Sequence, residues 1–169
     1  ISLLYEENNY EIPATITDIY ENFNFVLLGR PNITSGLEFL DINAKERILS
    51  LYAYDILNEP NRRPKNKNQF KNFIYNFLAD RHDIDDEQLE KLINYITQNT
   101  GILYIDDNNV IKFKNDSFME YYAAIEFFKH KRTKEDFLIK NFTKLNWQNV
   151  AIFYAGKSKD MPDFLNKII

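Results

Sequence analysis

Residues 102–105 (ILYI) and 110–113 (VIKF) are short β-prone runs on either side of Asp106-Asp107-Asn108-Asn109, and this arrangement restricts the fold more than any other stretch of the chain. Asp and Asn tolerate turn geometry, so the segment reads as a small hairpin. Everything around it has helical spacing. Phe70, Phe73, Ile74, Phe77 and Leu78 form one face of a helix from about Gln69, and residues 83–101 (DIDDEQLEKLINYITQNTG) form another, with acids early and Gly101 just past its end. After the hairpin, residues 113–128 (FKNDSFMEYYAAIEFF) pass through a polar corner into a nearly uncharged helix. Helix, helix, hairpin, helix is the order of a winged helix.

At the corner, Ser117 and Glu120 stand at capping-box spacing. The helix behind it sets Phe118, Tyr121, Tyr122, Ile125 and Phe128 on one face, while Ala123 and Ala124 keep its girth small enough for close neighbours, so it reads as packed on two sides. Upstream, Ile16, Ile19, Tyr20, Phe23, Val26 and Leu27 predict a helix over 15–28, ended by Gly29 and Pro31. Asn43 with Glu46 predicts the start of a second, whose stripe is Ile48, Leu49, Tyr52, Ile56 and Leu57. Residues 59–68 (EPNRRPKNKN) hold two prolines and no apolar side chain, which makes them a solvated connection. Downstream, Thr133 with Asp136 predicts a helix start. Trp147, Val150, Ala151 and Tyr154 share a face that runs to Gly156, and a last helix from Asp160 or Pro162 carries Phe164, Leu165 and Ile168.

The expected architecture is therefore mainly α, with a helical lobe at 1–60, a winged-helix domain at 61–132 and C-terminal helices at 133–169. With 44% hydrophobic and 15% aromatic residues, 169 positions suffice for one substantial core or two small ones. No apolar run nears the roughly 20 residues of a membrane span. The absence of cysteine removes thiolate chemistry and fits a cytoplasmic setting, so the sequons at Asn32, Asn115 and Asn141 are set aside. The helix-like opening, ISLLYEE, and the apolar ending suggest a piece of a longer protein.

A net charge of −4 works against a dominant nucleic-acid role, which needs a positive field. In a DNA-binding winged-helix regulator, residues 85–100 would be the reading helix, and they carry more acids than bases. A helical scaffold for another protein is the further alternative. Asp80, His82, Asp83, Asp85, Asp86 and Glu87 lack the glycine and terminal glutamate of a calcium loop and read as helix-start acids. His82 and His130 lie far apart and read as surface residues. Arg62, Arg63, Lys65, Lys67 and Lys71 form the basic run, a solvated linker or a contact for an anion or partner. No nucleophile motif is present, and no G-x-x-x-x-G-K-[ST] occurs in a chain with only four glycines.

The run GILYIDDNNVIKFKNDSFMEYYAAIEFF resembles the winged-helix segment of NACHT-type signalling NTPases of the STAND class. Their pattern there is a Gly-Leu-Leu start, a hairpin, then Phe-x-His-x-Ser/Thr-Phe-Gln-Glu-Tyr/Phe-x-Ala-Ala. Residues 11–30 (EIPATITDIYENFNFVLLGR) resemble the helical-lobe segment after the nucleotide-binding core of that class, and residues 145–156 the helix after its winged helix. The resemblance implies a regulatory, non-catalytic piece of an ATPase whose P-loop domain lies upstream in the same chain. It implies ATP or ADP with Mg in that parent protein, self-oligomerisation on activation, and a role in signalling or antiphage defence, with no nucleic acid or membrane as partner. Where the family has the His that reaches the β-phosphate of ADP, this chain has Asn115, and where it has Gln, Met119. Asn115 and Ser117 are thus the candidate phosphate contacts. Asn donates a hydrogen bond but does not become a cation, and an Asn at this place also serves as a helix cap.

Overall fold

A computed structural model describes residues 15–29, 40–58, 63–79, 83–158 and 166–167, the side chains of 131–133 excepted. The readings made above for residues 1–14, Pro31, Asn32, Arg62, Asp80, His82 and the helix from Asp160 or Pro162 lie outside the described residues. The rest is mainly helical. Helices α1 (Ile16–Gly29) and α2 (Ile42–Asn58) come first, then α3 (Lys67–Leu78) and α4 (Asp86–Asn94), which runs on into a π-helical turn at Tyr95–Asn99. A two-stranded antiparallel sheet of β1 (Leu103–Ile105) and β2 (Ile111–Phe113) follows, and α5 (Asp116–Lys129), α6 (Lys131–Asn141) and α7 (Leu145–Lys157) complete the order.

Side-chain caps set most helix starts. Thr15 and Asp18 cap α1 reciprocally, at 2.9 and 3.1 Å. Asn66 with Gln69 and Asp85 with Gln88 form full capping boxes on α3 and α4, so α3 begins two residues before Gln69. The start of α2 departs from the Asn43–Glu46 expectation: the Asp41 carboxylate accepts the Ala44 N–H at 2.7 Å, and Glu46 is drawn into tertiary contacts. Helix α6 begins at Lys131, before the Thr133 expected to open it. In the hairpin, Leu103, Tyr104 and Ile105 pair with Phe113, Lys112 and Ile111. Asp106 Oδ1 accepts the N–H groups of Asn108 and Val110, and Asn109 takes φ 60°, the left-handed geometry that Asn tolerates. Gly101, at φ 68°, turns the chain from the π turn into β1.

The connection before α3 is anchored. Its backbone bonds to β2 and the turn through Ile111 N–H to Lys65 O and Lys67 N–H to Asn109 O, both 2.9 Å, and Asn66 bridges Val110. The buried Tyr52 hydroxyl accepts the Lys65 N–H and donates to Ile111 O at 2.6 Å, joining α2, the connection and the sheet at one atom.

Helix α5 is the centre. It lies between α2 and α7, and Tyr121, Tyr122, Ala123, Ala124, Ile125, Glu126 and Phe127 are all buried, so burial encircles its middle as the near-absence of charge suggested. One hydrophobic cluster takes members from α2, α3, α4, the hairpin, α5, α6 and α7. Within it the single Trp147 stands edge-on to Phe127 and Phe137, with ring centroids 5.6 and 5.1 Å away. On α1 the buried positions are Thr17, Asn24, Val26 and Leu28, while Ile16 is exposed, a rotation from the apolar stripe read in the sequence. Polar contacts cause it: Asn24 Oδ1 accepts the Tyr122 hydroxyl and Asn24 Nδ2 donates to Glu46, both at 2.7 Å. Thr17 lies against Gly156, which sits inside α7 and does not end it.

The adjacent tyrosines of α5 have opposite hydrogen-bonding states. Burial pushes both hydroxyls well above their usual pKa, but Tyr122 has Asn24 as acceptor while the Tyr121 hydroxyl has no partner among the described residues. Tyr121→Phe is therefore expected to be neutral or stabilising. Tyr122→Phe strands Asn24 Oδ1 and is expected to cost about 1–3 kcal/mol, measured as a shift in denaturant midpoint. Equal effects would contradict this assignment of partners.

Candidate functional site

The polar corner is built by the end of β2 and the start of α5. Lys114 N–H extends the hairpin by one bond, to Ile102 O at 2.9 Å, and Asn115 follows in extended geometry, φ −142° and ψ 135°. Its Oδ1 accepts the Ser117 N–H at 2.8 Å, and its carbonyl accepts from Phe118 at 3.1 Å. Asn115 is thus the cap, in place of the Ser117–Glu120 box read from the spacing, because the helix opens two residues earlier and Glu120 accepts from Asn149 Nδ2 at 3.0 Å. Ser117 lies in the first turn.

This cap fixes what the corner offers. With Oδ1 taken by its own helix, the Asn115 Nδ2 is without a partner among the described residues, and Asn115 and Asp116 are exposed. A helix start favours anions, and 14 residues of α5 stand behind this one. Asp116 opposes that preference. Beside the corner opens a cleft of about 300 Å³ whose walls include Lys112, Asp116, Tyr104 and Met119. The corner has the donors for a phosphate oxygen: the Asn115 amide and the Ser117 hydroxyl. Among the described residues, no group of three or more His, Asp and Glu side chains is placed to hold a metal ion.

The far end of α5 holds a site that sequence reading missed. Glu126 is 1% exposed, yet Arg47 of α2 clasps it through both guanidinium nitrogens and Lys134 of α6 donates to it at 2.6 Å. His130, at the joint between α5 and α6, is exposed, as expected of a surface residue, and lies 3.5 Å from the same carboxylate and 3.0 Å from Arg47 Nη2. Desolvation, then Lys134, Arg47 and Lys129, lowers the His130 pKa. Lys134 also sits 3.7 Å from the centre of the Tyr54 ring, and burial lowers its pKa. The one signal for this site was a glutamate inside the apolar run Ala123 to Phe128.

The acids around α4 have local roles. Asp85 caps the helix, while Asp86 and Glu90 pair with Lys71, at 2.7 and 3.0 Å, and Glu87 with Lys91. Among the described residues, no helix is long and apolar enough to cross a membrane. No family model, curated protein or solved structure matches the chain.

Proposed function

We propose that this chain is a regulatory, non-catalytic lobe of a NACHT-type signalling ATPase, reading the nucleotide held by a P-loop domain upstream in the same protein. The observation that carries this reading is the form of α5: a helix buried around its middle, with an exposed polar head at Asn115 and Asp116. Such a helix transmits a contact at its head into packing against α2 and α7. In the ADP state the corner would hold a phosphate oxygen through Asn115 and keep the pocket closed. Exchange for ATP with Mg would release the lobe, and the parent protein would then self-associate to signal in the cytoplasm, in stress responses or antiphage defence. A switch of this kind needs a contact that distinguishes the two nucleotide states by a few kcal/mol. The acidic surface of α4 does not favour the DNA-binding alternative.

Two substitutions in the full-length protein separate capping from phosphate contact. Asn115→Asp keeps a good N-cap but replaces the amide donors by a carboxylate, whereas Asn115→Ser keeps the cap without a charge. Both are expected to leave thermal stability nearly unchanged and to speed ADP release by about ten- to a hundredfold, the loss of one hydrogen bond to a charged group. Unaltered release in both variants would remove the phosphate role and leave Asn115 as a cap alone.

A further inference from the structure

A second cleft, about 530 Å³, lies along α3 and the connection before it, away from the polar corner. Among the described residues that line it none carries a carboxylate, although the chain has 25 acids against 21 Lys and Arg. Gln69, Asn72 and Asn76 line it from one face of α3, with the ring of Phe73 half-buried between them, and Arg63 and Lys65 close one end. The other lysines of the basic run are neutralised: Lys65 by Asp55, Lys67 by Glu90, and Lys71 by Asp86 and Glu90. Arg63 has no carboxylate partner among the described residues. The floor is tied to its surroundings: Lys65 O accepts the Ile111 N–H of β2, Lys67 N–H donates to Asn109 O in the turn, and Lys65 N–H donates to the Tyr52 hydroxyl.

We infer that this cleft is a docking groove for an acidic, extended peptide segment of a partner protein. A carboxamide donates and accepts like a peptide group, so three of them over about 10 Å of helix can satisfy the backbone of a strand laid across them. Arg63 supplies a fork for a carboxylate, and Phe73 an apolar step for an alternate side chain. The volume is that of a ligand site, but the exposed walls would leave a small molecule largely in water, whereas a peptide spreads its contacts along the groove.

The test is nuclear magnetic resonance of the isotope-labelled chain titrated to millimolar concentration with a short blocked peptide of alternating Glu and Val. Saturable shifts are expected in the side-chain N–H groups of Arg63, Gln69, Asn72 and Asn76, with none from the Lys-for-Glu peptide. Arg63→Glu, at an exposed position, should leave the rest of the spectrum intact and weaken binding by about tenfold or more. Three results would each overturn the inference: no saturable shift, equal shifts with inorganic phosphate, which mark a plain anion site, or the same shifts on concentrating the protein alone, which mark self-association.

Discussion

An Arg47→Met/Lys134→Met variant is expected to lose about 3–5 kcal/mol of folding stability, more than either single change, because it leaves the Glu126 carboxylate buried without its cations. The geometry makes the carboxylate the costly member. Glu126 is 1% exposed, while the Arg47 and Lys134 side chains are 21% and 22% exposed and keep partial access to water. Adding Glu126→Leu to the double variant is expected to restore most of the loss, since three apolar side chains in place of a buried ion cluster are often no worse than the cluster. Denaturant midpoints at constant slope measure both steps. If the triple variant is as unstable as the double, the loss comes from the packed stems of Arg47 and Lys134 and not from stranded charge.

The second large effect is expected at Gly156. A Cβ there would stand 2.1 Å from Thr17 Oγ1 and 2.8 Å from Thr17 Cβ, closer than real atoms approach, so α1 and α7 would have to separate. Gly156→Ala improves helix propensity by about 1 kcal/mol. A net loss of about 1–3 kcal/mol despite that gain marks the crossing as sterically closed. Thr17→Ala in the same chain removes the contacts with Oγ1 and Cγ2 but leaves Thr17 Cβ at 2.8 Å, so its rescue should be partial, and Thr17→Gly should relieve more at its own cost in helix stability. A neutral Gly156→Ala would show that α1 does not seat against α7 as described.

Local rules made much of this fold legible. The hairpin followed from Asp and Asn between two β-prone runs, and the helices from their periodicity, because each signal sits within a few residues of its effect. Two of the misplaced details have one cause: partners distant in sequence. Asn24, outside the apolar stripe of α1, is drawn inward by Tyr122 and Glu46, and Glu126, inside an apolar run, is met by Arg47, 79 residues earlier. At the corner, two capping patterns overlapped, and Asn115 took the role assigned to Ser117 by being first in the chain to reach a first-turn amide. Gly156 carried the commonest meaning of a glycine near a helix end, whereas its use is to let Thr17 close in.

The lone indole of this protein lies where three helices meet, edge-on to a ring from α5 and a ring from α6, and only 6% exposed. Its fluorescence is consequently an intrinsic gauge of that junction: undocking α6 would wet the indole and redden its emission. Loosening confined to α1 would leave the colour unchanged, so unlabelled protein can report which part of the bundle has moved.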